Sequence, residues 1–351
     1  MESPPGKPRR AIGIDVGGTH TRVAVVDERG RVAALRRGPT PRDERGDALV
    51  RWLIENLRSV EAPIAAARGS DGGRGWEGVV GLALPGIIDR ERGSITRSVN
   101  LPFLEGRTIV SELSEATSCE VTLYTDADAA AWGEYRAACE AGGIERDDRF
   151  VHLRIGTGVG CGMVAAGEIE EVEVRGTGHL DILVVDHSPQ AIPCRCGKRG
   201  CLETLASGHA LQERAIRLGY EGGIADLQRG WAAGDRGVVE LIASAADALA
   251  VAVGELARTL GADVICIGGG VITLIPFLPA ETAARWSASG TCDPKRWKEL
   301  VRAAVLGDDA GVVGAALLAM GRGKSSRARL TATEKDLYNV EGRSPLGEGG
   351  V

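Results

Sequence analysis

Residues Ile12–Asp27 read Ile-Gly-Ile-Asp-Val-Gly-Gly-Thr-His-Thr-Arg-Val-Ala-Val-Val-Asp, and no other stretch limits the path of the chain so tightly. Alternating β-branched residues run up to Asp15, two glycines follow, and a second β-branched run leaves from Val23. Gly17-Gly18 is expected to supply the positive φ angles of a tight hairpin turn. The glycines then join strand to strand, whereas a Walker loop or a dinucleotide fingerprint leads from strand into helix. Backbone N–H groups left unpaired at such a turn hold phosphate oxygens, with Thr19 and Thr21 adding hydroxyls. Asp15, at the strand's end, is placed to hold water on a magnesium ion. The same residues also suit an ordinary Gly-Gly hairpin with a polar cap.

The unit recurs. Phe150–Ile155 reads as a strand, Gly156-Thr157-Gly158-Val159-Gly160 as a loop, and Cys161–Ala166 as another strand. Val264–Ile267 then leads into a third turn, Gly268-Gly269-Gly270. Two strand–glycine–strand units so far apart point to an internal duplication. They suggest a nucleotide in a cleft between duplicated domains, with phosphates on the first two loops. The third loop lets adenine and ribose approach the backbone closely.

Between these landmarks the patterning predicts strands over Arg31–Arg37, Gly78–Leu84 and Val121–Tyr124, and a hairpin over Ile87–Ile95. Helices are expected over Asp43–Val60, with Leu49, Leu53, Leu57 and Val60 on one stripe, and over Thr108–Ala116, Ala127–Cys139, Ser207–Gly219, Val238–Leu260 and Asp308–Gly321. Ala67–Trp76 reads as a Gly-rich surface loop. Residues 1–10 and 322–351 lack periodic apolar positions and read as disordered.

A chain of 351 residues has room for two domains with substantial cores. Aromatic residues make up only 4%, so those cores must rest on Ala, Val, Leu and Ile. The net charge of −6 argues against a nucleic-acid partner, which would need a basic face. No apolar run is read as reaching transmembrane length, because Leu241–Leu260 is interrupted by Asp247 and Glu255, and no membrane partner is expected. The first ten residues have no apolar core and so do not read as a secretory signal. A cytoplasmic location follows as the expectation, and the eight cysteines are then not expected to form disulfides.

Three of those cysteines, Cys194, Cys196 and Cys201, fall within eight positions, with Gly197 and Gly200 allowing a sharp fold-back. Three thiolates and one imidazole complete a tetrahedral zinc shell, and His179, beside Gly178, is the best placed of the five His. A filled shell leaves no open position for water, so the metal would be structural. Incidental loop cysteines are the alternative. Glu203, two residues after Cys201, suits either hydrogen bonding to a polyol or the first turn of a helix. Thr125-Asp126-Ala127-Asp128 closes one strand and opens a helix, with Thr125 and Asp128 as a capping box. Asp126 also stands at the strand's carboxyl end, where α/β sheets place ligands. There a carboxylate can orient a substrate hydroxyl and accept its proton as it attacks a γ-phosphate.

With these residues assembled, the chain resembles the ROK family (repressors, open reading frames and sugar kinases) of the actin–hexokinase superfamily, from Ile12 to about Gly321. The resemblance rests on Asp15-Val-Gly-Gly-Thr-His-Thr-Arg22, Pro85-Gly86, Asn100-Leu-Pro, Asp126-Ala-Asp-Ala, Gly156-Thr-Gly-Val-Gly160, Gly178-His179, Cys194 to Glu203, and Gly268-Gly-Gly270. It implies an α/β protein of two duplicated ribonuclease H-like domains, with mixed sheets flanked by helices and an interdomain cleft. The first domain would span 11–125 and the second 126–307, with a zinc loop at 179–203 and helix 308–321 packed back on the first.

The resemblance further implies a kinase that binds magnesium–ATP and phosphorylates a hexose or N-acetylhexosamine, usually at the 6-hydroxyl. Asp126 is then the base. Asn100, His179 and Glu203 contact the sugar, and Gly17, Gly18, Thr19 and Gly156–Gly158 hold phosphates. Dimers are a family habit. Two positions depart from the pattern: the usual Glu-x-Gly-His is Gly176-Thr177-Gly178-His179 here, and the usual Asn before the catalytic Asp is Thr125. A lost carboxylate contact to a buried hydroxyl is worth ~1.5–3 kcal/mol, enough to change the preferred sugar. A sugar or nucleotide sensor without turnover is the alternative. A repressor of the family would carry a helix-turn-helix domain before the first glycine loop, where this chain has only ten or eleven residues.

Overall fold

The computed structural model describes residues 9–66, 76–170, 183–288, 294–321 and 325–326. His179, the Gly176 to Gly178 departure, residues 179–182 of the expected zinc loop, nearly all of the expected Gly-rich loop at 67–76 and nearly all of both expected disordered ends lie outside the described residues.

The opening repeat forms as a hairpin of β1 (Arg10–Val16) and β2 (His20–Asp27), extended by β3 (Val32–Pro39). Helix α1 (Asp47–Ala66) leads to β4 (Trp76–Leu84), and a small hairpin, β5 (Ile87–Asp89) and β6 (Ser94–Arg97), follows. Helix α2 (Ile109–Thr117) and β7 (Glu120–Thr125) complete a five-stranded sheet of order β3-β2-β1-β4-β7. β2 is antiparallel to both neighbours, while β1, β4 and β7 are parallel. On one face, α1 buries the expected stripe of Leu49, Leu53, Leu57 and Val60 against Ile12, Ile14, Val23 and Leu82.

After α3 (Asp126–Glu140) the pattern returns, with β8 (Phe150–Ile155), β9 (Val159–Ala165) and a short β10 (Glu168–Glu170). Helices α4 (Leu202–Ala206), α5 (Gly208–Arg217), α6 (Leu227–Ala232) and α7 (Arg236–Thr259) precede β11 (Val264–Gly268). Then come α8 (Gly270–Leu274), α9 (Leu278–Ala288), α10 (Pro294–Leu300), β12 (Val301–Ala303), α11 (Ala310–Ala319) and β13 (Ser325–Ser326). The second sheet runs β12-β11-β8-β9-β10-β13. Counted from its own first strand, β10-β9-β8-β11-β12 repeats the order and the directions of the first sheet. The duplication is thus complete at the level of topology.

Helix α7 corrects one reading of the sequence. By length and composition it is apolar enough to cross a membrane despite Asp247 and Glu255. Its apolar face, with Leu241, Ala245, Leu249 and Leu256, is buried in the core of the second half instead.

Helix α11 packs against both β1 and β4 of the first sheet and against α3. Small residues are required there, because an added Cβ at Gly13 would lie 1.8 Å from the Val312 carbonyl oxygen and one at Gly81 1.9 Å from that of Ala315. On the α3 side, a Cβ at Gly314 would lie 1.7 Å from the Ala129 carbonyl oxygen. These are backbone-to-backbone contacts with nothing flexible to yield. Gly314→Ala is expected to lower stability by roughly 2–3 kcal/mol, read as a drop of roughly 5–10 °C in thermal midpoint by calorimetry.

Candidate functional site

The three glycine turns converge. Thr19 and Thr157, at the tips of the first two, bring their hydroxyl oxygens within 3.3 Å. The third turn abuts the second, since a Cβ at Gly269 would lie 2.6 Å from the Ile155 carbonyl oxygen.

The first turn is not built as expected. Neither Gly17 nor Gly18 adopts a positive φ, whereas Gly197, Gly200 and Gly269 do, at 93°, 73° and 98°. The tight position is Gly17, where a Cβ would lie 3.0 Å from the His20 carbonyl oxygen, whereas one at Gly18 would make ordinary contact at 3.4 Å with Asn100, which lies over the turn. Arg42 holds the two together by donating to the Gly18 and Asn100 carbonyls, with its guanidinium over the Phe103 ring. Thr21 is fully buried, and its hydroxyl lies 3.0 Å from that of Thr40, which in turn donates to the Gly17 carbonyl. Thr21 therefore braces the turn from beneath.

The second turn is held by the start of α4 and α5. Glu203 accepts the Val159 N–H at 2.9 Å, and its carboxylate fills the space a Cβ at Gly158 would need. The N–H groups of Gly208 and His209 bond the carbonyls of Gly156 and Thr157.

Asp126 opens α3. The Thr125 hydroxyl accepts the Asp128 N–H as the N-cap, which is the Thr125 half of the expected capping box, while the Asp128 carboxylate pairs with Arg90 at 3.2 Å. The Asp126 carboxylate is 3.3 Å from Arg154, whose guanidinium also lies 3.8 Å from Asp15. Asp15 is wholly buried, and neither of its oxygens has a hydrogen-bond partner among the described residues. Arg22 approaches the same Asp15 oxygen as Arg154, at 3.9 Å, and continues to Asp308 at 3.2 Å and Asp309 at 3.6 Å. Asp15 also packs on the first turn of α11, where a Cβ at Gly311 would lie 2.7 Å from its carboxylate. The positive end of that helix favours the negative charge.

A continuous chain of charge results, Asp126–Arg154–Asp15–Arg22–Asp308, spanning both halves of the molecule. Burial raises the Asp126 pKa; Arg154 opposes that rise and Asp15 adds to it. Burial works against the Arg154 charge, but Asp15, Asp126 and Asp308 outweigh it and raise the pKa. Glu134, fully buried on α3, accepts the N–H groups of Val305, Leu306 and Gly307 at 2.7, 2.9 and 2.8 Å. It thereby fixes the loop that presents Asp308 and Asp309.

Arg22, Arg154, Asp308, Asp309 and Arg42 received no role from sequence. Arg154 carried a readable signal: it stands two residues before Gly156, as Asp15 stands two residues before Gly17.

The carboxylates outnumber the guanidiniums in this relay, and the oxygens of Asp15 are buried without hydrogen bonds among the described residues. Both observations fit a divalent cation at the cleft. Elsewhere, the sulfur atoms of Cys194, Cys196 and Cys201 lie within 4.8 Å of one another, a grouping that fits a thiophilic metal. Burial, with neighbouring thiols, pushes the pKa values of Cys194 and Cys201 up. A bound cation would reverse that preference.

Two sheets of one topology, meeting where their glycine turns touch, define an α/β protein of the actin–hexokinase type. Residues 11–322 match the ROK family, and the chain belongs to it. It is 30% identical over 319 residues to an N-acetylmannosamine kinase of Citrobacter koseri, covering 88% of this chain and 98% of that one. A ROK hexokinase from Thermus thermophilus superposes with a TM-score of 0.69 at 29% identity, covering 89% of this chain and 98% of the other. A ROK family glucokinase from Streptomyces griseus, solved with glucose and AMPPNP, gives 0.67 at 25% identity over 89% and 99% of the two chains.

The Asp126 carboxyl is expected to titrate above the ordinary 3.8. Arg154→Met should raise it further, because the cation that favours the ionised form is gone. Carboxyl-carbon NMR titration of both proteins checks the two directions.

Proposed function

We propose that this protein is an ATP- and magnesium-dependent sugar kinase, phosphorylating a hexose or N-acetylhexosamine at its 6-hydroxyl with Asp126 as the base. The observation that carries the reading is the Asp126 carboxylate linked through Arg154 to Asp15 beside the touching Thr19 and Thr157 turns. The names of its relatives, N-acetylmannosamine kinase, hexokinase and glucokinase, agree with it.

In this reading the turns Gly17–Thr19 and Gly156–Gly158 cradle the β- and γ-phosphates, the Gly17 and Gly156 N–H groups closing the turns on the His20 and Gly158 carbonyls. Gly268–Gly270 leaves room for the nucleoside. Asn100, over the first turn, Glu203, against the second, and His179 hold the sugar. Asp126 orients the hydroxyl and takes its proton as the oxygen attacks, a task that needs no strong base. Asp15, through water, would hold magnesium, which neutralises developing phosphate charge when bound. The two halves, 11–125 with the last helix and 126–307, would close over the substrates.

Cys194, Cys196 and Cys201, with His179 as fourth ligand, would bind a structural zinc that braces the segment carrying Glu203. A cytoplasmic dimer is the setting the family resemblance implies.

The test is coupled ADP release over a panel of hexoses and hexosamines. Sugar-stimulated turnover is expected, with Asp126→Asn reducing kcat by about 10²–10⁴-fold. Sugar binding without turnover in the wild type would favour a sensor and overturn the kinase reading. Chelation of zinc should lower the thermal midpoint and release about one equivalent of metal. An apoprotein with unchanged melting and no released zinc would remove the metal from the account.

A further inference from the structure

Aligning the two halves on their glycine turns exposes a reversal of charge. The first strand of the first half ends Asp15-Val16-Gly17, and that of the second ends Arg154-Ile155-Gly156. The same position in the duplicated fold thus carries an acid on one side of the cleft and a base on the other, 3.8 Å apart. Arg154 has only 19% of its side chain exposed, and its ion-pair partners among the described residues, Asp15 and Asp126, both come from before the second sheet. An arginine is not needed at this position to hold the turn, which is fastened by Glu203, Gly208 and His209. Its guanidinium instead stands beside Asp126 and Asp15.

From this we infer that Arg154 is a ligand of the transferring phosphoryl group, kept in place by Asp126 and Asp15 until nucleotide binds. The inference rests on the kinase reading. A planar fork of N–H donors matches phosphoryl oxygens in two-point contact, and a γ-phosphate offers the guanidinium more negative charge than a carboxylate does. During transfer the sugar oxygen forms a bond to the γ-phosphorus as the bond to the β–γ bridging oxygen breaks. ADP leaves with that electron pair, and the hydroxyl proton passes to Asp126. Arg154 stabilises the charge on the equatorial oxygens and, by turning to them, frees the Asp126 carboxylate to receive the proton. Because that turn accompanies nucleotide binding, the cation is already in place when transfer begins.

The test pairs turnover with nucleotide binding on the full chain. Arg154→Met is expected to lower kcat by about 10²–10³-fold, with sugar affinity changed less than about threefold. Arg154→Lys, which keeps charge without the fork, should fall between. In Arg154→Ala, added guanidinium should restore at least tenfold of the lost rate, an effect that loss of folding cannot mimic. By calorimetry, wild type should prefer AMPPNP over ADP, and Arg154→Met should lose most of that preference. Thermal melting verifies each variant, with Arg154→Gln as the substitute where methionine does not fold. Unchanged kcat, or an unchanged AMPPNP-to-ADP ratio, in a folded variant would overturn the inference and leave Arg154 a neutraliser of two acids. Absence of sugar-stimulated turnover in the wild type would instead strike the kinase reading, and the AMPPNP-to-ADP ratio would still decide for or against a γ-phosphate contact.

Discussion

Helix α11 reaches the middle of the molecule because no side chain stands between it and its neighbours. Gly13 and Gly81 open the first sheet to its carbonyls, and Gly133 and Gly314 let it lie against α3. Close packing of this kind tolerates almost no added volume. It also determines where the N-terminus of α11 falls, beside the Asp15 carboxylate at Gly311. The site inherits its precision from that contact: Asp308 and Asp309 precede the helix, and Arg22 bridges them to Asp15.

The duplicated topology explains why the site sits where it does. Each half ends its first strand at a glycine turn, and the pairing of Thr19 with Thr157 sets those turns tip to tip. Asp126 joins them because α3 begins where β7 ends, so the helix carries a carboxylate from the first sheet's edge to the second sheet's first strand.

Much of this was readable in the residues. The strand–glycine–strand units, the strand-to-helix junction at Thr125-Asp126 and the clustering of Cys194, Cys196 and Cys201 all depend on local spacing, which a sequence states directly. The stripes of α1 and α7 were visible for the same reason. Gly17 misled because a glycine serves either a positive φ or a close approach, here to the His20 carbonyl, and the letter does not say which. Arg22, Arg42 and Glu134 were silent because their partners lie far along the chain, at Asp308, Asn100 and Val305 to Gly307. The short β10, α8 and α10 escaped because runs of three, five and seven residues leave no period to detect.

Asp126 and Glu134 occupy one helix, separated by two turns and ~12 Å of rise. The first faces Arg154 in the cleft, while the second grips the strap of backbone leading to Asp308. A slide or roll of α3 would therefore transmit to both ends of the electrostatic relay in step, as a rigid rod moves its two fittings together. Geometry at the proton acceptor and geometry at the distal acids are mechanically geared, with a single helical register as the gear.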